Sequence, residues 1–160
     1  MNILLDDHKS FAIQLLKFGV EFILVGGYAV VFHGYVRTTG DMDIWLKPDN
    51  ANRDKFIAML RNMGIVDEDL SVLQSKDFSQ ALAFHIDEPP TRIDFLTKIV
   101  GVSFDEANKR KVLLTIGEYE IPVLHLDHLL ANKLISGRTK DKADVEELQR
   151  ILKTREEDNE

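Results

Sequence analysis

The stretch 24–45 constrains the fold of this chain more than any other. Its sequence is LVGGYAVVFHGYVRTTGDMDIW. It predicts a buried strand over 22–25, a turn at Gly26-Gly27, a short apolar helix over 28–32 and, after a polar loop, a strand over 41–46. Residues i and i+2 of a strand point to the same face, about 7 Å apart. The carboxylates of Asp41 and Asp43 are therefore expected side by side.

The acid pair and the glycine pair fit the two halves of a phosphate-metal site. Two carboxylates this close repel each other unless a cation lies between them. Mg²⁺ is usually held by one or two carboxylates together with substrate phosphates. Because a strand that ends in glycine and opens a helix lets backbone approach a phosphate, Gly26 and Gly27 are expected to cradle it. Without the acids, Gly26-Gly27 alone would indicate an ordinary tight turn.

The spacing of these residues resembles a known signature. Gly-Gly, thirteen residues and Asp-x-Asp between apolar neighbours are similar to the motif of the nucleotidyltransferase superfamily, whose fold is shared with DNA polymerase beta. The longer string GGYAVVFHGYVRTTGDMDI resembles the stand-alone bacterial branch that includes AbiEii-type toxins. The resemblance implies an α/β (α+β) fold: a mixed twisted sheet with packed helices and a C-terminal helical pair.

The same resemblance implies an activity. A nucleoside monophosphate would pass from a nucleoside triphosphate to an acceptor hydroxyl, with release of pyrophosphate and with two Mg²⁺ ions bound. The acceptor stays open between a small molecule, a tRNA end and a protein hydroxyl. The alternative is a catalytically inert module that binds a nucleotide or a partner in a toxin–antitoxin-type pair.

A third acid lies further along the chain. Residues 81–86 and 91–99 flank a turn signal at 87–90 and predict a hairpin. Its second strand carries Asp94 between two apolar neighbours, where a carboxylate is costly to bury unless it is paired or coordinated. The resemblance implies that Asp94 is the third catalytic carboxylate and metal ligand. The alternatives are an edge-strand charge or a partner for Arg92.

The loop before the acid pair is the first place where further nucleotide contacts are expected. In the resembling family this loop lies beside the triphosphate, and a guanidinium is a good bidentate partner for phosphate. The resemblance therefore implies that Arg37 and Thr39 contact the nucleotide. For Arg37 the alternative is a structural pair with Asp41 or Asp43.

The C-terminal segment ANKLISGRTKDKADVEEL supplies a second set. It resembles the C-terminal pattern of AbiEii-type proteins, in which a helical lysine is followed by a basic-Asp-x-x-Asp helix start. By that match Lys133 binds nucleotide phosphate and Asp141 is the acid that follows. The alternative is a solvated charged face with acids and bases at helical spacing.

The remaining patterns predict helices, one further hairpin and connections. Helices are predicted from Asp6 or Asp7 to Gly19, over 49–62, over 125–135 and over 141–153, with a hairpin over 112–123. The segments 67–79 and 103–111 are interpreted as loops with at most a helical turn. The predicted core stripes are Phe11, Leu15 and Phe18; Phe56, Met59, Leu60 and Met63; and Leu126, Leu129, Leu130 and Leu134.

Composition sets the class of protein. The 160 residues, 44% hydrophobic and 29% charged, predict one domain over 1–155 with a frayed acidic tail over 156–160. No membrane span or signal peptide is indicated, so a cytoplasmic location is expected. Zero cysteines leave oxygen or imidazole as metal ligands, which suits Mg²⁺. With no separate acceptor-binding domain, a homodimer or a partner protein is expected to complete the site.

The charge is unevenly distributed. A net charge of −7 weighs against tight nonspecific binding of nucleic acid. Residues 132–142 nevertheless carry Lys133, Arg138, Lys140 and Lys142 against one acid, whereas 144–160 is strongly acidic. One surface is therefore suited to a polyanion.

Overall fold

A six-stranded mixed sheet organises the part of the chain that the computed structural model describes, residues 4–159. The strand order is β3-β4-β2-β1-β6-β5. The elements in chain order are α1 (Asp6–Lys17), β1 (Phe22–Val25), α2 (Gly26–Phe32), β2 (Met42–Leu46), α3 (Asn50–Asn62), α4 (Asp67–Gln74), β3 (Ala83–Ile86), β4 (Ile93–Leu96), α5 (Phe104–Arg110), β5 (Val112–Ile116), β6 (Tyr119–Val123), α6 (Leu126–Ser136) and α7 (Lys142–Asp158), with a 3-10 turn at Thr139–Asp141 before α7.

The central strands set the positions of the acids. All four residues of β1 are buried, as expected for a strand covered on both faces. Its antiparallel pairing with β2 places Val25, the last residue of β1, opposite Asp43. The parallel pairing of β2 with β4 places Asp43 opposite Asp94. Two acids 51 positions apart in sequence therefore lie level on adjacent strands because the strand register is fixed by backbone hydrogen bonds.

Aromatic side chains hold the helices to the sheet. Phe95 packs between Phe56 and Phe84, with ring centroids 5.0 and 5.2 Å away. On β2, Trp45 is 1% exposed and packs edge-on against Phe104 at 5.2 Å. Its Nε1 donates a hydrogen bond to the carbonyl oxygen of Thr97 at 3.0 Å. The strand that carries Asp43 is thus fixed from the side of α5 as well as by its neighbours in the sheet.

Two helices lie where loops were predicted. Residues 67–74 form α4, whose first turn carries three acids that favour the positive end of the helix dipole. Leu70 of α4 is buried. Residues 104–110 form α5, where Ser103 Oγ accepts a hydrogen bond from the N–H of Glu106 at 3.2 Å. In both cases the helix is stabilised by the polar residues at its start and not by a long hydrophobic stripe.

Several predicted boundaries differ from those of the structure. Helix α2 begins at Gly26 itself and not after the glycine pair, and Leu5 precedes α1, so that Asp6 lies in the first turn and not at the cap. The last helix continues to Asp158, so 156–158 of the predicted tail are helical, whereas residue 160 lies outside the described residues. None of the described helices combines the length and apolar character that a membrane span requires.

Two residues predicted in the core are exposed. Met63 is 45% exposed because it follows the last turn of α3 as its C-cap. Leu134 is 50% exposed. In that turn of α6 the inward position is taken by Lys133, which is buried against acids of the following segment. The other predicted core leucines of α6 are buried.

Candidate active site

The three predicted acids line one cleft at the ends of β1, β2 and β4. The cleft has two lobes that share Gly26, Asp41, Asp43, Lys133, Arg138 and Lys140. The strand lobe, of about 820 Å³, extends along β3 and β4 and contains Asp94. The loop lobe, of about 700 Å³, extends along residues 35–40 and 138–144. The structure therefore brings Asp41, Asp43 and Asp94 together, and their catalytic role stays a prediction.

Gly26 is in contact with the side chain of Asp43. A Cβ at Gly26 would lie 2.1 Å from Asp43 Oδ2 and 2.9 Å from Asp43 Cβ. The residue also has φ +66°, which favours glycine. The carboxylate of Asp43 thus lies directly over the start of α2, and only a residue without a side chain leaves room for it.

We expect Gly26→Ala to disrupt the site more than the fold. The new methyl group would displace the Asp43 carboxylate, and the positive φ adds about 1 kcal/mol of strain or more. Metal-dependent nucleotide binding should fall at least tenfold, measured by calorimetry, while the far-ultraviolet circular dichroism spectrum stays native. Gly117→Ala is the matched control, because it has φ +60° but open space around it. Equal binding by both variants would contradict the contact.

Gly27 is required by the loop that precedes the acids. A Cβ there would lie 2.3 Å from Thr39 Oγ1 and 3.3 Å from Arg37 Nη2. The four residues that were predicted to bind nucleotide in this region, Gly26, Gly27, Arg37 and Thr39, therefore form one wall of the loop lobe. Their binding role stays a prediction.

Arg37 has a different partner from the two that were considered. It pairs with Asp144 of α7, through Nε to Oδ1 at 2.9 Å and Nη2 to Oδ2 at 3.0 Å. The structural alternative that named Asp41 or Asp43 as its partner is wrong. The reason is geometric: the first turn of α7 lines the loop lobe and presents a carboxylate that is 10% exposed. Arg37 is 29% exposed, so one side of its guanidinium still faces solvent.

Lys133 lies in a buried ionic network in the wall of the cleft. Its side chain is 6% exposed, and Nζ lies 3.0 Å from Asp141 Oδ1 and 3.1 Å from Asp144 Oδ2. Asp141 also accepts a hydrogen bond from Arg138 Nε at 2.8 Å. The pKa of Asp141 is lowered because its hydrogen bonds and charge interactions with Lys133 and Arg138 outweigh its burial. The interpretation of this segment as a solvated charged face is therefore wrong for Lys133 and Asp141.

Arg92 holds Asp94. Its Nε and Nη2 donate to Asp94 Oδ1 at 3.2 and 3.0 Å, and Nε also lies 3.3 Å from Oδ2. The same Nε is 3.9 Å from Asp41 Oδ2. The structure thus shows the pair that was considered as an alternative for Asp94, and it shows Asp94 beside the acid pair as well. The two interpretations describe one arrangement.

Uncompensated negative charge collects at Asp43. Burial, with the charges of Asp94 and Asp41, raises its pKa from 3.8 to about 6, while Lys133 and Lys140 oppose the rise. A carboxyl group that is held in this way releases its proton readily when a cation approaches. Asp43 is therefore the carboxylate in the cleft whose charge a bound cation would stabilise most.

The donor set suits Mg²⁺, which prefers carboxylate oxygens and keeps sites free for water and substrate oxygens. Asp43 on β2, Asp41 just before that strand and Asp94 on β4 are all carboxylates, and burial together with the two neighbouring acids raises the pKa of Asp43. Within residues 4–159, no group of three or more histidine or carboxylate side chains lies close enough together to hold a metal ion by itself. The residues fit an open site that substrate oxygens would complete.

Two cleft residues were not singled out from the sequence. Arg138 and Lys140 line both lobes, and within the described chain Lys140 forms no ion pair. The basic run over 132–142 was recognised only as a patch suited to a polyanion. The run continues past Gly137, the left-handed cap (φ +63°) that ends α6, and Arg138 and Lys140 follow this cap into the cleft wall.

Comparisons with known proteins identify the fold. No family model matches the chain, and no curated protein matches it significantly. A solved structure of an antigenic nucleotidyltransferase-like protein from Paracoccidioides brasiliensis superposes with a TM-score of 0.54 at 14% identity, over 91% of this chain and 73% of that one. Lincomycin-bound LnuA, a lincosamide antibiotic adenylyltransferase, gives 0.54 at 15% identity, over 94% of this chain and 99% of LnuA.

These likenesses confirm the predicted fold class. The chain has the nucleotidyltransferase fold, with a mixed sheet, packed helices and the helical pair α6 and α7 at its C-terminal end. The AbiEii-type branch stays a prediction.

Proposed function

We propose that this chain is a Mg²⁺-dependent nucleotidyltransferase that moves a nucleoside monophosphate from a nucleoside triphosphate to an acceptor hydroxyl. One observation carries the proposal. On a nucleotidyltransferase fold, Asp41, Asp43 and Asp94 face one cleft, next to Gly26, whose lack of a side chain leaves room for the Asp43 carboxylate. A structural role for these acids would not explain why three carboxylates lie close enough together to repel one another.

The two lobes suggest separate places for the two substrates. The loop lobe contains Gly26 and Gly27 and the side chains of Arg37, Arg138 and Lys140, so backbone N–H groups and cations there are suited to the triphosphate. The strand lobe contains Asp94 and an apolar wall formed by Leu96, Ile99 and Val100. We assign this lobe to the acceptor.

Asp41, Asp43 and Asp94 would hold up to two Mg²⁺ ions. When bound, Mg²⁺ supplies charge neutralisation at the transferring phosphate. The acceptor oxygen attacks the α-phosphorus, its proton passes to a carboxylate oxygen of Asp94, and the bond to the bridging oxygen breaks so that pyrophosphate leaves. Arg138 and Lys140 stabilise the charge on the departing group.

Several finer points belong to the proposal. The likeness to LnuA makes ATP and a small-molecule acceptor the first pair to test, followed by a tRNA end and a protein hydroxyl. A second copy of the chain or a partner protein would complete the acceptor side. One observation favours the inert alternative, a binding module in a toxin–antitoxin-type pair: Asp94 is already engaged by Arg92.

Calorimetric titration of ATP, CTP, GTP and UTP, with and without Mg²⁺, tests the proposal. The native protein should bind at least one of the four nucleotides, and only in the presence of Mg²⁺. The double variant Asp41→Asn/Asp43→Asn should lose that binding. Asp127→Asn removes a surface acid outside the cleft, paired with Arg110 at 2.9 Å, and should bind as the native protein does. Labelled triphosphate then identifies the acceptor. Nucleotide binding that survives in the double variant would refute the assignment.

A further inference from the structure

Arg92 is the cation closest to two of the three acids, and its side chain is only partly buried. Its guanidinium makes three contacts of 3.0 to 3.3 Å with Asp94 and one of 3.9 Å with Asp41. Its side chain is 32% exposed, in contrast to Lys133, which is 6% exposed between two carboxylates. Among the described residues its only ionic partners are these two acids. The side chain of Arg92 is therefore open to solvent on one side, whereas that of Lys133 is enclosed.

The contacts of Arg92 use both oxygens of Asp94. A carboxylate whose two oxygens accept hydrogen bonds from a guanidinium is a poor ligand for a metal ion, because the positive charge of arginine repels the ion. In this arrangement Asp41 and Asp43 are available to a cation, whereas Asp94 is not. If Asp94 and Asp41 are both to bind a metal ion, the guanidinium needs a further anionic partner in the cleft to compensate its charge.

We propose that Arg92 is an exchangeable counter-ion of the site. In the substrate-free protein it occupies Asp94 and opposes metal binding there. When a triphosphate binds, the guanidinium transfers to a phosphate oxygen at the junction of the two lobes, where it already lies 3.9 Å from Asp41, and releases Asp94 to the metal. A planar guanidinium binds phosphate in the same bidentate manner as it binds carboxylate, so Arg92 can exchange one partner for the other and keep the same hydrogen-bond geometry. This inference rests on the proposed function, since it assumes that the three acids bind metal. Arg92 acts on the metal through Asp94 as a positioning residue.

The exchange predicts that replacing Arg92 changes the affinities for two ligands in opposite directions. Mn²⁺ alone, followed by the paramagnetic resonance signal of the free ion, should bind about fivefold to tenfold more tightly to Arg92→Gln than to the native protein. The complex of Mn²⁺ with a non-hydrolysable α,β-methylene analogue of ATP should bind several-fold more weakly, because the phosphate has lost a partner. Arg92→Lys keeps the charge without the bidentate geometry and should lie between the two for both ligands.

Two control variants separate the possible failures. Arg110→Gln removes a surface arginine paired with Asp127 and should change neither affinity. Asp43→Asn should lose Mn²⁺ binding. Unchanged Mn²⁺ binding in Asp43→Asn would refute the proposed metal site, whatever Arg92 does.

If Asp43→Asn loses Mn²⁺ but Arg92→Gln and Arg92→Lys behave as the native protein, the metal site stands and the role of Arg92 is refuted. Weaker binding of both ligands to the Arg92 variants would show ordinary structural support of Asp94, and tighter binding of both would show competition without transfer to phosphate. Either result would overturn the exchange.

Discussion

Asp43→Asn should abolish nucleotidyl transfer and at the same time make the metal-free protein more stable at pH 8. The pKa of Asp43 is about 6 in the folded protein against an ordinary 3.8, so the folded state binds the proton more tightly than the unfolded chain. Above pH 6 the charged carboxylate opposes folding by about 1–3 kcal/mol, a range that allows for its partial exposure. Asparagine removes that charge, whereas loss of the metal ligand should reduce transfer about a hundredfold or more.

The pH dependence identifies the cause of the gain. As the pH falls from 6 to 4, the native carboxyl group becomes protonated in the folded state and the advantage of asparagine should shrink towards zero. Denaturant unfolding in the presence of a chelator, at several pH values between 4 and 8, measures this. A gain in stability that does not change with pH would assign it to packing and not to charge, and the raised pKa would then be wrong.

Lys133→Ala should have the largest effect on stability. Removing the ammonium group leaves Asp141 and Asp144 buried with less compensation, and breaking a buried ion pair from one side costs about 3 kcal/mol or more. Thermal unfolding should shift down by about 10 °C for a domain of this size. Because Arg37 and Arg138 still contact the two acids, the variant should remain folded at low temperature.

Lys140→Ala is the matched test of a lysine that faces the cleft. Lys140 is exposed and lines both lobes, so its removal should change the free energy of unfolding by less than about 0.5 kcal/mol while weakening nucleotide binding. A comparison of the two variants would thus distinguish a lysine that stabilises the cleft from a lysine that contacts the ligand. If Lys133→Ala kept native stability and lost only nucleotide binding, the buried network would not exist as described.

The position of the acids was predictable because it depends on local rules. Strand alternation puts Asp41 and Asp43 on one face, and an isolated acid in an apolar strand indicates Asp94. What brings Asp94 level with Asp43 is the parallel register of β2 and β4, which follows from the fold and was implied by the family resemblance. The glycine pair was predictable as a close approach of backbone, but not as the contact of Gly26 with the Asp43 carboxylate.

The ionic partners could not be predicted, because they join distant parts of the chain. Arg37 and Asp144 are 107 positions apart, and only the packing of the first turn of α7 beside the loop lobe brings them together. Lys133 lies in a segment so rich in charge that exposure was a natural alternative, yet two acids of the segment after α6 allow it to be buried. Helix α4 was missed because its one buried leucine gives no repeating stripe.

The packing of Trp45 makes the sheet observable by spectroscopy. It is the only tryptophan of the chain, it is buried against Phe104, and it lies two positions after Asp43 on the same strand. Its emission should be that of an apolar environment and should move to longer wavelength only when β2 and α5 separate. Red-edge excitation selects this single fluorophore, so the integrity of the strand that carries the central carboxylate can be followed in solution during every titration.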